Sequence, residues 1–356
     1  MNPYWSKIAQ EITPYQPGEQ PVDMNYIKLN TNENPYPPSP AVLKALAVTA
    51  DHKLRLYPEP SAVELRKVIA AYYQLVPDQV FLGNGSDEVL AFSFLAFFNP
   101  DDTIVFPDIT YSFYPVYCSL FKAKHRLIEL TEDFSLPHVD LLSGASQGFI
   151  IANPNAPTGR YLELERVEQL LKANQSRLII IDEAYIDFGG ESAVKLINQY
   201  ANLLIIQTVS KARSLAGLRV GFALGQQGLI EGLTRIKNSF NSYTLDRLAI
   251  AGAIASFQDQ DYFLTSRDRV IQTRERIVAA LKKKGFQVIP SQANFIFISH
   301  QHHKAEQLFA QLKLQGILVR YFKQPRIENY LRVSIGTEQE MDTFLTVISA
   351  LIKEGD

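Results

Sequence analysis

The chain has 356 residues, of which 46% are hydrophobic and 20% are charged, a composition typical of a globular enzyme or binding protein with one large and one smaller domain. Its 35 basic and 37 acidic residues give a net charge of -2, which argues against a nucleic-acid or anionic-membrane partner. The single cysteine, Cys118, excludes an internal disulfide and a cysteine zinc cluster.

The N-terminal residues 1–11 lack the apolar core of a signal peptide, and the longest apolar stretch, residues 89–98, is too short to span a bilayer. We therefore expect a cytoplasmic protein. His300, His302 and His303 follow a predicted strand and are expected to form a solvated turn rather than a metal site.

The first forty residues carry turn formers, and the prolines of residues 30–38 predict an extended arm rather than a helix. Apolar periodicity then predicts helices over residues 40–50 and 61–73. The residues expected on the apolar face of the second helix are Val63, Val68 and Ile69.

Short apolar runs alternate with helical segments through the middle of the chain, which is typical of a buried, mostly parallel sheet. Ligands bind beyond the carboxyl ends of such strands, where the polar motifs of this chain fall. The expected strands are residues 80–82, 103–105, 149–152, 178–181, 203–207 and 219–224.

A long charged helix is predicted over residues 261–284, followed by a strand at 294–298, a helix at 305–315, a strand at 331–334 and a helix from 338. The chain is therefore predicted to have an α/β fold with a large domain at residues 50–255. Residues 1–49 and 256–356 are expected to form an N-terminal arm and a smaller α+β domain.

Lys211 is the candidate catalytic residue because it follows an apolar strand, between the hydroxyls of Thr208 and Ser210 and the guanidinium of Arg219. A lysine placed in this way can hold an aldehyde cofactor as a Schiff base, while the hydroxyls and the arginine bind a phosphate. The alternative is a solvated surface lysine.

Asp182 follows four aliphatic residues, and a buried carboxylate needs a compensating cation or donor. A protonated pyridine nitrogen would supply that cation, and Tyr185 would then reach the phenolic oxygen of the same ring. The alternative is an aspartate that caps the next helix.

Gly85 and Ser86 lie between a predicted strand and a predicted helix, where exposed backbone N–H groups suit a phosphate. This requires the carboxylates of Asp87 and Glu88 to point away from the phosphate. An ordinary helix cap is the alternative.

Arg332 lies inside a predicted strand, where a charge needs an anion such as a substrate phosphate or carboxylate, and this is favoured over a structural salt bridge. Arg320 is a second candidate. Tyr57 lies on an arm of the kind that reaches a neighbouring subunit, and Tyr111 could stack on a planar ring or pack in the core.

Five segments occur in an order and spacing that resembles the pyridoxal-phosphate-dependent aminotransferases of fold type I, from Thr13 to Thr337. Within them the chain is most similar to the histidinol-phosphate aminotransferases. The segments are Asn32-Glu33-Asn34-Pro35, Asn153-Pro154-Asn155-Ala156-Pro157-Thr158-Gly159, Asp182-Glu183-Ala184-Tyr185, Ser210-Lys211 with Leu215-Ala216-Gly217-Leu218-Arg219, and Leu331-Arg332-Val333-Ser334-Ile335-Gly336-Thr337.

The resemblance implies pyridoxal 5'-phosphate as cofactor, held covalently by Lys211, and a homodimer that shares its active sites. It also implies a role for each matching position. Asp182 would pair with the pyridine nitrogen, Tyr185 and Asn155 would contact the phenolic oxygen, and Tyr111 would stack on the ring. The phosphate would be held by Gly85, Ser86, Thr208, Ser210, Arg219 and Tyr57 of the partner subunit. The substrate would face Tyr15, Asn34, Arg320 and Arg332.

The chain departs from the family pattern at two positions. Ala156 stands where related enzymes usually carry an asparagine that touches the phenolic oxygen and the substrate carboxylate, and the neighbouring Asn155 is the expected substitute. Arg213 stands where an aromatic residue is common.

The activity that the resemblance implies is transamination between histidinol phosphate and 2-oxoglutarate or glutamate in histidine biosynthesis. A threonine-phosphate decarboxylase and an aromatic amino-acid aminotransferase share the framework and stay open as alternatives. An effector-binding domain of a transcription regulator would require a DNA-binding domain, and the sequence before Thr13 has no basic segment to supply one.

Overall fold

The fold is that of a computed structural model, which describes residues 2–20, 26–138 and 146–353. The α-helices in chain order are α1 Lys7–Glu11, α2 Pro40–Thr49, α3 Val63–Tyr73, α4 Gly85–Phe97, α5 Phe113–Phe121, α6 Leu164–Ala173, α7 Gln227–Phe240, α8 Arg247–Gln258, α9 Gln260–Lys282, α10 Ala305–Leu314 and α11 Glu338–Lys353. Across the described ranges, no helix combines the length and the apolar character needed to cross a membrane.

The β-strands in chain order are β1 Ile27–Lys28, β2 Val80–Asn84, β3 Thr103–Pro107, β4 Lys124–Ile128, β5 Gly148–Ala152, β6 Leu178–Asp182, β7 Leu203–Thr208, β8 Val220–Gly225, β9 Phe286–Ile289, β10 Phe295–His300, β11 Ile317–Leu318, β12 Arg320–Tyr321 and β13 Leu331–Ser334. His300 ends β10 and is buried, so the expectation that it lies in a solvated turn is wrong.

The large sheet has seven strands in the order β2-β8-β7-β6-β5-β3-β4. Its strands are parallel except β8, which runs antiparallel to both of its neighbours. The central strands β5, β6 and β7 are apolar along nearly their whole length because helices cover both faces of the sheet. The expected α/β class with a mostly parallel central sheet is confirmed.

The direction of the strands decides where polar side chains gather. Strands β2, β5, β6 and β7 all end at one edge of the sheet, and the antiparallel β8 begins at that same edge, where Gly221 pairs with Thr208. Asp182 ends β6, Thr208 ends β7, and Arg219 immediately precedes β8. The sheet thus brings together side chains that are far apart in the sequence.

The C-terminal part of the chain forms a four-stranded antiparallel sheet in the order β12-β13-β10-β9. Its inner face packs against α9, α10 and α11 in a core that includes Ile277, Leu312 and Phe344. The N-terminal arm joins this part of the fold through β1, which pairs in parallel with β11. The domain boundaries expected at residues 49/50 and 255/256 stay a prediction.

Most of the predicted elements are present, with shifted ends. Helix α3 begins at Val63, two residues later than predicted, and its buried face is formed by Leu65, Ile69 and Ala70. Val63 is exposed, so its expected place on the apolar face is wrong. Arg219 has a left-handed backbone and precedes β8 rather than opening it.

Candidate active site

A cleft of about 240 Å³ opens at the carboxyl edge of the large sheet. The N-terminal arm and strands β12 and β13 of the small sheet also contribute residues to its lining. The predicted site residues that line the cleft are Tyr15, Ser86, Tyr111, Asp182, Tyr185, Thr208, Ser210, Lys211, Arg219, Arg320 and Arg332. The cleft therefore gathers most of the residues that the sequence singled out.

Lys211 is half-buried in the wall of the cleft and is not a solvated surface lysine. Its Nζ donates a hydrogen bond to the carbonyl oxygen of Thr31 at 3.2 Å and lies 5.7 Å from the centre of the Tyr185 ring. No carboxylate within the described ranges forms an ion pair with this amine. It is therefore held by a single weak acceptor and is available to a ligand.

Asp182 is 6% exposed at the end of β6 and faces the cleft. Its Oδ2 accepts a hydrogen bond from the hydroxyl of Tyr114 at 2.9 Å, and its Oδ1 accepts one from the backbone N–H of Ala184 at 3.2 Å. Burial raises the pKa of the Asp182 carboxyl to about 6 despite these two donors. The carboxylate stabilises the turn after β6 and still lacks a cationic partner in the described structure.

Tyr114 was not among the predicted site residues, although it supplies the side-chain donor to Asp182. It lies in α5, three residues after Tyr111 and three before Tyr117, and its side chain is fully buried. The helical spacing of these three tyrosines is the signal in the sequence that could have indicated a shared face.

A small cup is formed where α4 meets the start of β8. Gly221 has no room for a side chain, because a Cβ there would overlap the backbone of Gly85 and Ser86. Gly85 has a φ of +80°, and a Cβ on it would overlap the Arg219 guanidinium. The absence of a side chain at Gly85 thus makes room for the Arg219 guanidinium, and Gly85 itself does not line the cleft.

Hydroxyl groups complete the cup at the end of β7. The hydroxyl of Thr208 donates to Ser210 Oγ at 2.8 Å, and it accepts from the backbone N–H of Ser210 at 3.1 Å. With Ser86 and the guanidinium of Arg219, the cup offers hydroxyls, a helix N-terminus and a cation, which is a donor set suited to a phosphate.

Two acidic residues follow the cup in α4, and a phosphate in the cup requires both carboxylates to point away from it. Glu88 does so, because its Oε2 accepts from the backbone N–H of Asn84 at 2.6 Å and from the hydroxyl of Thr244. Asp87 lines the cleft and does not meet this requirement. Its carboxylate accepts from the Tyr111 hydroxyl at 2.9 Å and pairs with Arg219 Nη2 at 3.4 Å.

Arg320 and Arg332 are cross-strand partners in β12 and β13. Arg332 Nη2 donates to the carbonyl oxygen of Asn30 at 2.8 Å, while its Nε is buried without a hydrogen-bond partner. Burial lowers the pKa of Arg332. Neither arginine has a salt bridge in the part of the chain that the structure describes, so the structural ion pair considered for Arg332 is not formed.

The N-terminal arm lies over these arginines. Arg320 donates to the carbonyl oxygens of Gln16 and Pro17 at 3.3 and 3.4 Å. The ring of Tyr15 stacks on Phe113 at 4.6 Å between ring centres. Burial raises the pKa of the Tyr15 hydroxyl. Tyr15 and the two arginines thus line the cleft together, and their expected contact with the substrate stays a prediction.

Three expected site residues lie elsewhere. The Asn34 amide donates to the carbonyl oxygen of Ala212 at 3.1 Å and accepts from the N–H of Tyr36, so it braces the arm rather than the cleft. The Asn155 amide donates to the carbonyl oxygen of Ile109 and to Thr158, and accepts from the Thr110 hydroxyl.

Asn155 therefore has no free amide group to offer in place of one at position 156, and Ala156 itself lines the cleft. Tyr57 is 77% exposed and stacks on Tyr243 at 4.6 Å, away from the cleft of its own chain. This position agrees with its expected role in a partner's site, which stays a prediction.

Asn32 lines the cleft and was missed as an individual site residue. Its side-chain Nδ2 donates to the Tyr185 hydroxyl oxygen at 3.0 Å. The motif that contains it, Asn32-Glu33-Asn34-Pro35, drew attention to Asn34 instead. A φ of +56° at Asn32 turns its side chain inward, and this backbone conformation is not visible in the sequence.

Taken together, the cleft fits a flat cofactor that carries a phosphate, an aldehyde and a basic ring nitrogen. The glycines at 85 and 221 allow α4, the start of β8 and the Arg219 guanidinium to approach one another closely enough to form the cup. The buried Asp182 carboxylate, which has hydrogen-bond donors but no cationic partner in the described structure, suits a protonated ring nitrogen. Lys211 supplies the amine, and a further anion has a place at Arg332, whose Nε lacks a partner.

Comparisons with known proteins agree with this geometry. Residues 24–348 match the family model described as aminotransferase class I and II. The chain is 57% identical over 352 residues to a histidinol-phosphate aminotransferase of Clostridium acetobutylicum, covering 99% of this chain and 100% of that protein. It is 54% identical to histidinol-phosphate aminotransferase 1 of Hydrogenovibrio crunogenus, covering 99% of each chain.

Solved structures share the fold. A histidinol-phosphate aminotransferase of Sinorhizobium meliloti, solved in complex with pyridoxal-5'-phosphate, superposes with a TM-score of 0.89 at 22% identity, covering 99% of this chain and 98% of that one. An aminotransferase of Staphylococcus aureus gives a TM-score of 0.87 at 20% identity, covering 99% and 100%.

These matches confirm the resemblance that the motifs indicated, and they extend it over nearly the whole sequence. The chain is therefore an enzyme with the expected fold, and the roles of the individual site residues stay predictions. The chain belongs to the class I and II aminotransferase family.

Proposed function

We propose that this aminotransferase uses pyridoxal 5'-phosphate to move the amino group of histidinol phosphate to 2-oxoglutarate, as a step of histidine biosynthesis. The observation that carries the substrate assignment is the pair Arg320 and Arg332, which face one cleft without a carboxylate counterion in the described structure. The relatives of this name, at 54–57% identity over full length, support the same substrate.

The residues that line the cleft suggest how each part of the cofactor would be held. Ser86, Thr208, Ser210 and Arg219 would bind the phosphate, and Asp182 would pair with the ring nitrogen. Tyr111 would flank the ring. When bound, pyridoxal 5'-phosphate supplies an aldehyde that takes up amino groups and a protonated ring that delocalises negative charge.

Lys211 is the proton carrier of the reaction. Its Nζ takes the proton from the α-carbon of the substrate as a general base and returns a proton as a general acid. The carbonyl of Thr31 orients this amine at 3.2 Å. Asp182 keeps the ring nitrogen protonated by pairing with it, and the low exposure of this carboxylate strengthens that interaction.

Arg332 and Arg320 hold the anionic end of each substrate. Histidinol phosphate has no carboxylate, so the absence of an amide at Ala156 costs this substrate little. The glutamate half-reaction proceeds without that contact and depends on the arginines for its carboxylates.

A homodimer is part of the proposal. Tyr57 and Tyr243 form an exposed aromatic pair, and Leu54, Leu56 and Phe240, which are close to them in the sequence, are also exposed. Arg247 fixes this segment by donating to the carbonyl oxygen of Tyr57 at 2.7 Å. We assign this surface to the subunit interface, where Tyr57 reaches the phosphate of the partner's cofactor, and we place the enzyme in the cytoplasm.

Complementation tests the shared site. Lys211→Ala and Tyr57→Ala variants are each expected to be nearly inactive, because each lacks one contribution to every site. Mixing them under conditions that exchange subunits should restore activity, since a hybrid has one site with both native residues. Absence of any recovery in a verified hybrid would remove Tyr57 from the partner's site.

The substrate is tested with the cofactor-loaded enzyme and histidinol phosphate, without a keto acid. Conversion of the bound cofactor to its amine form, seen in its absorbance and matched by one equivalent of keto product, is the expected result. Release of carbon dioxide from threonine phosphate, or faster conversion by phenylalanine, would favour the decarboxylase or the aromatic aminotransferase instead. The Lys211→Ala variant should bind substrate without turnover.

A further inference from the structure

Asn32 lies where three parts of the fold meet, and it is 1% exposed. Its backbone N–H donates to the hydroxyl of Ser334 in β13 at 2.9 Å, and its carbonyl oxygen accepts from the Asn294 amide at 2.9 Å. Its side chain reaches Tyr185, which follows β6 of the large sheet. The residue is therefore fixed on every side before any ligand enters.

The direction of the bond to Tyr185 follows from the neighbours. Ser334 Oγ accepts from the Asn32 backbone and gives its own hydrogen to Asn32 Oδ1 at 2.8 Å. The remaining end of the amide, Nδ2, faces the Tyr185 oxygen at 3.0 Å and donates to it. The hydroxyl hydrogen of Tyr185 is thereby left for another acceptor.

Among the residues that the structure describes, no other side-chain amide donates a hydrogen bond to the Tyr185 hydroxyl. Ala156 packs with Ala293 and Phe295 beside the Tyr185 ring, so this position is apolar. The amide of Asn155 is engaged with Ile109, Thr110 and Thr158. Across the described ranges, Asn32 provides the hydrogen bond that the Tyr185 hydroxyl receives.

We propose that Asn32 is a positioning residue that orients and polarises the Tyr185 hydroxyl toward the phenolic oxygen of the bound cofactor, in place of the amide that Ala156 lacks. This inference rests on the proposed use of pyridoxal 5'-phosphate. The amide donates to the tyrosine oxygen, so it makes the tyrosine a stronger donor to a negatively charged phenolic oxygen.

Glycine is the informative replacement for Asn32. A φ of +56° strains a residue whose side chain has a β-carbon but no polar group to form a local hydrogen bond. Asn32→Ala would therefore combine backbone strain with loss of the amide. Asn32→Gly removes the amide and keeps the backbone conformation accessible. Asn34→Gly is the matched control, because Asn34 belongs to the same segment but bonds to Ala212 and Tyr36 outside the cleft.

The first measurement is the affinity of the cofactor-free protein for two ligands, pyridoxal 5'-phosphate and its 3-deoxy analogue, which lacks the phenolic oxygen. Asn32→Gly is expected to weaken binding of the natural cofactor about tenfold and to leave binding of the analogue unchanged. Asn34→Gly should alter both affinities by the same factor. Equal weakening of both ligands by Asn32→Gly would overturn the proposal, because it would indicate a structural role alone.

The second measurement is the pH midpoint at which the visible absorbance of the cofactor-loaded enzyme changes. Loss of a donor chain to the phenolic oxygen destabilises its anionic form, so the midpoint should rise in Asn32→Gly and stay in place in Asn34→Gly. An unchanged midpoint in Asn32→Gly would contradict the inference. Failure of the native protein to bind pyridoxal 5'-phosphate at all would instead remove the proposed function on which the inference rests.

Discussion

Arg213 Nη1 donates a 2.8 Å hydrogen bond to the carbonyl oxygen of Ser256, two residues before the end of α8. Its guanidinium lies 3.8 Å from the centre of the Phe257 ring and 4.1 Å from that of Phe263 in α9. A cation is thus buried among aromatic rings, two residues after Lys211. Arg213 therefore anchors the segment between β7 and β8, which carries Lys211, to the junction of α8 and α9. This contact gives a structural reason for an arginine where related enzymes commonly have an aromatic residue.

Replacing Arg213 by lysine should lower the free energy of unfolding by about 2 kcal/mol, because an ammonium cannot both stack on the rings and reach Ser256. Chemical denaturation of the cofactor-free protein measures this change. Arg235→Lys, in an exposed pair with Glu231 on α7, is the control and should change stability by no more than about 0.5 kcal/mol. Equal stability of the two variants would contradict the anchoring role of Arg213.

Tyr114→Phe should raise the pH at which the protein loses affinity for the cofactor. The Tyr114 hydroxyl lowers the pKa of the buried Asp182 carboxyl, which nevertheless stands at about 6, so its removal raises that pKa further. Asp182 must be charged to pair with a protonated ring nitrogen, and affinity should therefore fall as the pH drops through its pKa.

The measurement is the cofactor dissociation constant between pH 5 and pH 9. In Tyr114→Phe the affinity is expected to fall at a higher pH than in the native protein. Tyr117→Phe removes a hydroxyl of the same helix that bonds to the backbone of Asp87, and its midpoint should match the native one. A Tyr114→Phe profile that superposes on the native profile would show that this hydroxyl does not tune Asp182.

Glu183 should make the protein less stable at alkaline pH. Its carboxylate accepts from Ala193 N–H at 2.7 Å, from Ser192 Oγ at 2.6 Å and from Gln207 Nε2 at 2.8 Å, yet burial raises its pKa from 4.5 to about 7. A raised pKa in the folded state means that folding favours the protonated acid. The stabilisation is complete below pH 4.5 and is lost as the pH rises through 7, by about 3 kcal/mol.

A Glu183→Gln variant isolates this effect, because the amide keeps the shape and cannot ionise. The stability of the native protein relative to the variant should decline from pH 5 to pH 9, as measured by denaturant titration at each pH. The exposed Glu231→Gln serves as the control for general charge effects. A relative stability that is constant across this range would contradict the raised pKa.

Arg332→Met should impair recognition of the substrate phosphate. Removing a buried charged partner costs about 1.5–3 kcal/mol per charge-assisted hydrogen bond, or roughly ten- to hundredfold in KM for histidinol phosphate. Histidinol, which lacks the phosphate, is the matched substrate and should lose far less. Similar losses with both substrates would mean that Arg332 acts on the fold of β13 rather than on the phosphate.

Much of the fold could be predicted from the sequence because the parallel strands are continuous apolar runs. Strand β6, with three fully buried isoleucines, has no amphipathic alternative of that length. Strand β4 was missed since it is an edge strand whose residues Lys124 and His125 are exposed and carry no apolar pattern. The antiparallel direction of β8 was also invisible, because strand direction depends on connections rather than on side-chain periodicity.

The residues of the candidate site could be predicted where a motif fixes the backbone. The prediction failed where the direction of a side chain depends on tertiary contacts. Lys211, Asp182 and Arg219 follow or precede strands that end at one edge, so their convergence follows from topology. Asn34 was expected in the cleft and Asn32 was not, because the left-handed backbone at Asn32 decides which of the two amides turns inward. A local sequence pattern does not contain that information.

The contact between Asn32 and Ser334 joins residues 302 positions apart. A ribosome makes the chain from its N-terminus, so Asp182 and Lys211 leave it long before β13 exists. Until β13 is made, Asn32 has no hydroxyl to hold it, and Arg332 is absent. Capture of a cofactor in its final geometry is therefore tied to the last stage of synthesis, and a chain interrupted before β13 carries the reactive lysine without the site that controls it.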